Sequence, residues 1–238
     1  MLFAAVNGEK VEAKPGTTGV CPLCDRSVFS KCGEINVWHW AHHRDQSCDN
    51  WYEPETEWHK NWKLAFGKEL SEIVISKEGV RHIADIQTKE NVIIELQNST
   101  IQIDVIRRRE RFYGERMLWI VNGKPFKNNF TINSRSVTQD REYYMQFGYF
   151  PDDIVDKETG GIVSNSKKQL PFSWSRPRRC WSDVQRPVFI DFGDENLFCI
   201  TEGMGTNRGI GRQITKERFL EKYGGDSALL ATLIDKSD

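Results

Sequence analysis

Apolar residues recur at helical spacing between Glu55 and Leu70. Trp58, Trp62 and Phe66 fall at i, i+4 and i+8 and predict the buried stripe of one helix. Pro54 precedes it, where a missing N–H costs nothing. Three runs with strand character follow. Glu72–Ser76 is the first and ends at the turn signal Lys77-Glu78-Gly79. Arg81–Gln87 is the second, and Val92–Gln97 follows after the polar turn Thr88–Asn91. On the third run Val92, Ile94 and Leu96 share one face, and Ile93, Glu95 and Gln97 share the other. A second helix is predicted over roughly Ile101–Tyr113, then a strand over Met117–Val121.

Several polar residues break this apolar frame. Glu55, His59 and Lys63 repeat at the spacing of the tryptophan stripe and flank it, whereas Glu57 points elsewhere; of the two acids, Glu55 is preferred for chemistry. The simpler account is a chain of i,i+4 charge pairs on a solvated face. Asp85 interrupts the apolar run Ile83-Ala84-Asp85-Ile86. In a hairpin about residues 88–92 it lies opposite Glu95, and two carboxylates across a ladder repel. In a partly buried site both ionise only with a cation between them. A hard divalent ion with oxygen ligands is the natural occupant. The competing account puts both acids on an exposed sheet face.

At 238 residues the chain is long enough for one domain or two. A net charge of −1 neither favours nor excludes nucleic acid, because a basic surface can be local. No run of about 18 apolar residues exists, so no membrane span is expected. Met1–Val6 is too short and too little basic for a leader, so a soluble, cytoplasmic protein is expected. Its six cysteines then read as thiols or metal ligands rather than as a disulfide framework.

Strands over Leu2–Val6 and Glu9–Ala13 flank the hairpin signal Asn7-Gly8. After them comes Cys21-x2-Cys24-x14-His39-x2-His42, two compact pairs that suit a tetrahedral, structural Zn2+. His43 is a substitute for His42, Cys48 a further substitute ligand and Cys32 a weaker one. So short a segment scarcely builds its own core, and zinc would supply on the order of 10 kcal/mol to fold it. Trp38 and Trp40 flank His39 and are expected to cover the metal or dock on the next domain.

Beyond Gly123 the pattern weakens. A strand near Phe130–Ile132, a short helix over Gln139–Phe147 and a boundary or loop over 151–170 are expected. Phe172–Trp181 interleaves Trp174 and Trp181 with Arg176, Arg178 and Arg179; this composition grips a nucleic-acid strand or, equally, buries the tryptophans and solvates the arginines. Val188–Asp191 and Leu197–Thr201 predict a hairpin. Gly203–Gly211 fails the dinucleotide fingerprint and is read as a flexible loop. A helix over Thr215–Tyr223, capped by Thr215 and stopped by Gly224-Gly225, precedes a last helix over Asp226–Asp235.

The order helix, three strands, helix, strand, with acids on the first helix and on the second and third strands, resembles the core of the PD-(D/E)XK nucleases. More narrowly, residues 20–122 resemble the competence protein CoiA-like family. The motifs carrying this are Cys21-Pro-Leu-Cys24, His39-Trp-Ala-His42, Glu55-x3-His59-x3-Lys63, Ala84-Asp85-Ile86, Glu95-Leu96-Gln97-x-Ser99, Arg109-x3-Tyr113 and Trp119-Ile-Val121. The resemblance implies an α/β (α+β) chain in three parts: a zinc-binding module over 1–50, a nuclease-like core over 51–138 and an accessory α+β module over 139–238. It favours His42 as the fourth zinc ligand. It implies that Asp85 and Glu95 bind Mg2+ or Mn2+ with the Leu96 carbonyl, and that Glu55 completes or orients the metal shell. Gln97 stands where that superfamily has lysine, and Lys63 is the candidate to supply the missing cation. His59 is the candidate general base or water holder. Ser99 is expected to cap the second helix or touch a phosphate, and Arg109 to pair with Glu55 or Asp85 or to meet the nucleic-acid backbone. Arg107, Arg108, Arg111 and Arg116 read as a solvated basic face.

The leading functional expectation is a metal-dependent nuclease or DNA-processing protein, with DNA as partner and no membrane. Competence and phage defence are among the pathways such a protein would serve, and a protein partner or a second copy of the chain is compatible with it. A non-catalytic nucleic-acid-binding or adaptor protein is the alternative, supported by Gln97. A protein-interaction module built on the zinc segment is the third.

Overall fold

The structure, a computed structural model, describes residues 1–43, 48–51, 53–133, 154–155, 162–163 and 169–235. The expected helix over 139–147 and most of the expected boundary over 151–170 lie outside them.

The N-terminal strands β1 (Phe3–Val6), β2 (Glu9–Glu12), β3 (Thr18–Val20), β4 (Ser27–Lys31) and β5 (His39–Ala41) form an antiparallel five-stranded sheet in the order β2-β1-β3-β4-β5. The Asn7-Gly8 turn joins β1 to β2 with both residues at positive φ, as a tight hairpin requires. Ala4, Val28 and Trp40 form its small core, and Val74 and Ile83 of the next sheet pack against it.

Helix α1 (Glu57–Phe66) follows, then β6 (Ser71–Lys77), β7 (Val80–Gln87), β8 (Ile93–Gln97), α2 (Ile103–Tyr113) and β9 (Met117–Asn122). The element order is the expected one. The first helix starts two residues later than expected because Thr56 caps it, its Oγ1 accepting the His59 N–H. A 3-10 turn over Lys124–Asn129 leads to β10 (Phe130–Ile132), and the short pair β11 (Ile154–Val155) and β12 (Ile162–Val163) stands apart as its own ladder. Then come β13 (Leu170–Trp174), β14 (Val188–Asp191), β15 (Asn196–Glu202), β16 (Arg208–Thr215), α3 (Lys216–Tyr223) and α4 (Ser227–Asp235). No described helix is long and apolar enough to cross a membrane.

Strands on either side of residue 139 share one nine-stranded sheet, β10-β13-β16-β15-β14-β9-β8-β7-β6. Its centre is parallel, β8 with β9 and β9 with β14; the flanks are antiparallel. The strict alternation of β8 and β9 divides the core. Ile94, Leu96, Leu118 and Ile120 pack under α1, α3 and α4 through Trp62, Phe66, Phe219 and Leu230. Ile93, Met117, Trp119 and Val121 face α2 and a cluster of aromatic rings. Glu95 and Gln97 alternate with Leu96, so they belong to the α2 side.

In the second half one expectation is corrected and one open alternative is decided. Gly203–Gly211 is not a loop throughout: its end is the start of β16. A Cβ on Gly209 would lie 2.6 Å from the Phe172 ring, and one on Gly211 would lie 2.5 Å from the Phe198 ring. These glycines let aromatic rings press onto a strand. Trp174 and Trp181 are fully buried, the first stacked on Phe126 and the second edge-on to Trp119. They anchor the core and are not available to stack on bases. Arg176 is exposed beside them, while Arg178 lies half-buried over the Phe126 ring.

Candidate functional site

The ladder between β7 and β8 holds Gln87 opposite Ile93 and Ile86 opposite Ile94, then ends. One step further, side chains replace it. The Asp85 N–H points to Glu95 Oε1 at 3.4 Å, and the Leu96 N–H donates to Asp85 Oδ2 at 2.9 Å. Asp85 and Glu95 therefore meet as the hairpin register requires, at the point where the two strands part. Their repulsion is met by two protein cations. Lys63 of α1 places Nζ 3.2 Å from Asp85 Oδ1, and Arg109 of α2 places Nη1 2.7 Å from Glu95 Oε2.

Lys63 is buried and also holds Glu55, at 3.0 Å to both oxygens, and Glu72 at 2.9 Å. Burial disfavours its charge, but Glu55, Glu72 and Asp85 together hold its pKa well above the ordinary value. Glu72 is itself fixed from the N-terminal sheet. Its Oε1 accepts the Leu2 N–H at 2.7 Å and its Oε2 accepts the Phe3 N–H at 2.8 Å. Burial works against its ionisation, yet Lys63, the Met1 ammonium and the two N–H groups bring it down to about 2. Its backbone is left-handed, φ 51°, which costs a non-glycine residue about 1–2 kcal/mol.

Glu95 is the opposite case. Burial pushes its carboxyl up to about 8; Arg109 opposes the rise and Asp85 adds to it. Arg109 is buried, donates its second nitrogen to the Trp51 carbonyl, and lies over the Trp51 and Trp119 rings. The expected pairing of Arg109 with Glu55 or Asp85 is replaced by the pair with Glu95, in the wall of the cleft.

Glu53, which no periodicity in the sequence marks, closes the other side. Its Oε1 accepts from Gln97 Nε2 at 3.1 Å and from the Ser99 N–H at 2.5 Å, and its Oε2 accepts the Asn98 N–H at 3.0 Å. His59 Nε2 lies 3.2 Å from the same Oε2. Burial raises the Glu53 carboxyl, but the bonds from His59, Ser99 and Asn98 outweigh it and bring it to about 2. His59 has its other ring nitrogen 2.8 Å from Thr56 Oγ1. Both nitrogens are engaged, and the buried ring lines the cleft. Ser99 does not cap α2, which begins four residues later with Gln102 at its N-cap and no side-chain cap. Gln97 is turned towards Glu53, with its Oε1 buried and unpaired.

Asp49, Glu53, Glu55, Glu72, Asp85 and Glu95 are the carboxylates of a cleft of about 70 Å³ that His59, Lys63 and Arg109 also line. Lys63, Arg109 and the Met1 ammonium, 3.9 Å from Glu55, are its cations, so acids still prevail. The space suits an ion with a few waters. Asp85 is the most open of the acids that Lys63 holds, its side chain 21% exposed against 2% for Glu55 and 3% for Glu72.

A second cluster lies in the N-terminal sheet. Cys21, Cys24, His42 and Cys48 bring their ligand atoms within 4.8 Å of one another. Cys24 Sγ is 3.2 Å from His42 Nε2, and Cys21 Sγ is 3.7 Å from Cys48 Sγ. Among the described residues this is the one group of three or more such side chains at metal-ligand spacing. Cys48 stands where His39 was expected. Trp40 turns into the core of the small sheet, so His39 turns to the opposite side of β5 and binds the Val37 carbonyl at 2.8 Å. Trp38 is exposed, its indole N–H donating to the Gly33 carbonyl at 3.2 Å. Burial, with Cys21 and Cys24 close by, pushes the Cys48 thiol up strongly. Three thiolates at this spacing need a cation, and three sulfurs with one imidazole are the donor set of a closed structural Zn2+ site.

No curated protein and no solved structure matches the chain. Residues 6–50, which contain three of the four cluster ligands between Cys21 and His42 and the fourth at Cys48, match the family model of the competence protein CoiA, N-terminal domain.

Proposed function

We propose that the chain is a metal-dependent nuclease of PD-(D/E)XK-like architecture, with Asp85 and Glu95 at its centre. The observation that carries this reading is the position of Lys63. Its ammonium lies 3.2 Å from Asp85, whereas Gln97, at the position where the motif has lysine, points away to Glu53. A lysine delivered from α1 would do what the strand lysine does elsewhere. The succession α1, β6, β7, β8, α2, β9 supports the same architecture.

A hard divalent cation is supported by the carboxylate oxygens of the cleft, by the excess of acids over cations there, and by the burial that disfavours the Glu95 charge and that a bound metal would offset. Asp85 and Glu95 would hold Mg2+ or Mn2+. When bound, such an ion lowers the pKa of a water and stabilises charge on a scissile phosphate. Lys63 offsets the charge of Asp85 and Glu55 and stays protonated, so it acts as a fixed positive charge and hydrogen-bond donor, not as a base. Arg109 orients Glu95, and Glu53 orients Gln97 and His59.

The test is cleavage of labelled single- and double-stranded DNA with Mg2+ or Mn2+ by wild type, Asp85→Ala and Glu95→Ala. Cleavage that vanishes in both folded variants supports the reading. Cleavage that persists in both, or its absence in wild type on either substrate, sinks it. In the latter case a non-catalytic nucleic-acid-binding role, which Gln97 favours, takes its place.

A further inference from the structure

We propose that Asp49 and Glu53 are positioning residues that transmit the order of the Cys/His cluster to the acidic cleft. What the cleft does rests on the nuclease reading; how it is held does not.

Cys48 contributes a sulfur to the cluster, and the chain leaves it directly into the cleft wall. Asp49 Oδ2 accepts the Ile83 N–H at 2.9 Å, and its Oδ1 lies 2.9 Å from His82 Nδ1. It thereby grips β7 two residues before Asp85. The same Oδ1 accepts the Trp51 N–H at 3.0 Å. Trp51 then stacks on His82, ring centroids 3.3 Å apart and nearly parallel, and gives its carbonyl to Arg109, the partner of Glu95. Glu53 ends the stretch by holding Gln97, Asn98 and Ser99 at the end of β8.

Within six residues of a cluster ligand, the chain therefore touches the strand of Asp85, the partner of Glu95 and the end of the strand that carries Glu95. Outer partners of this kind set the geometry of metal-binding carboxylates. A metal in the cluster fixes Cys48, and so fixes where Asp49 and Glu53 stand. Neither residue needs to touch substrate.

The test uses the full zinc-loaded chain as wild type, Asp49→Ala, Asp49→Asn and Glu53→Gln. Zinc content, Mn2+ affinity by calorimetry and amide hydrogen exchange are read in each. Asp49→Ala is expected to keep its zinc and to bind Mn2+ at least about tenfold more weakly. Exchange should rise at Ile83 and also at Leu96, whose N–H is held by Asp85. The asparagine variant keeps an acceptor for Ile83 and should recover most of the Mn2+ affinity. Faster exchange at Ile83 with Leu96 and Mn2+ affinity unchanged makes Asp49 a local staple and overturns the proposal. Should Asp49→Ala fail to fold, Glu53→Gln carries the test from the other end, with Asn98 and Leu96 as the amides read. If wild type binds no Mn2+, the nuclease reading fails, and the Leu96 exchange alone decides the positioning role.

Discussion

Lys63 reaches from α1 to set its ammonium 3.2 Å from the Asp85 carboxylate on β7, with Glu55 and Glu72 on its other sides. One helix side chain thus joins the first helix, strand β7 and, through Glu72, the N-terminal sheet. Removing it would leave three carboxylates facing one another in a largely dry site. Lys63→Met should therefore lower the unfolding free energy by about 3–5 kcal/mol, as for other broken buried pairs. Denaturant titration at neutral pH checks this; a loss under about 1 kcal/mol would mean that solvent already screens the pair.

Glu72 predicts a pH dependence. Its folded pKa of about 2 lies below the ordinary 4.5, so its contribution to stability is full above 4.5 and is lost as pH falls from 4.5 to 2. Thermal midpoints of wild type should fall across that window, and those of Glu72→Gln should start lower at pH 7 and fall less. Parallel curves would show that Glu72 is not ionised in the folded protein.

The ligand set of the N-terminal cluster is open to direct measurement. Cys48→Ser should lose tightly held zinc and unfold the small sheet, since a structural zinc contributes on the order of 10 kcal/mol to such a module. His39→Ala should keep one zinc per chain, because His39 is turned to the Val37 carbonyl. Metal content after dialysis against a chelator distinguishes them; the reverse pattern would restore His39 as the ligand.

Gly211 tests the contact between β16 and the aromatic core. A methyl group there meets the Phe198 ring at 2.5 Å and the Cys199 carbonyl at 2.7 Å. Gly211→Ala should cost about 1–3 kcal/mol by overpacking. Denaturant midpoints of the two chains measure it, and equal midpoints would mean that the ring moves aside freely.

How far the site could be read from the residues alone depends on how local each relationship is. Alternation along Ile93–Gln97 placed Glu95 and Gln97 opposite Leu96, and the turn at 88–91 fixed the register that brings Asp85 to Glu95. The i,i+4 step from His59 to Lys63 put the lysine beside the stripe, from which it reaches Asp85. Glu72 was not legible, because its role depends on a left-handed backbone and on N–H groups seventy residues away. Glu53 lies before Pro54, outside any periodic segment, and acts through the backbone of residues 98 and 99. His39 was favoured over Cys48 because close pairs in sequence suggest ligands; the inward turn of Trp40, fixed by the sheet, removes it. Trp174 and Trp181 show the limit of composition. Aromatics among arginines suit a strand of nucleic acid, but the depth of the fold at β13 decides for burial.

The cleft between Lys63 and Arg109 is proposed to take a divalent cation on Asp85 and Glu95. The most direct measurement is calorimetric titration of Mn2+ into the zinc-loaded chain, with Asp85→Asn and Glu95→Gln alongside. One Mn2+ per chain in wild type, lost in both variants, is the predicted result. No Mn2+ bound by wild type, or binding undiminished in the variants, would contradict it and leave the acids as partners of Lys63 and Arg109 alone.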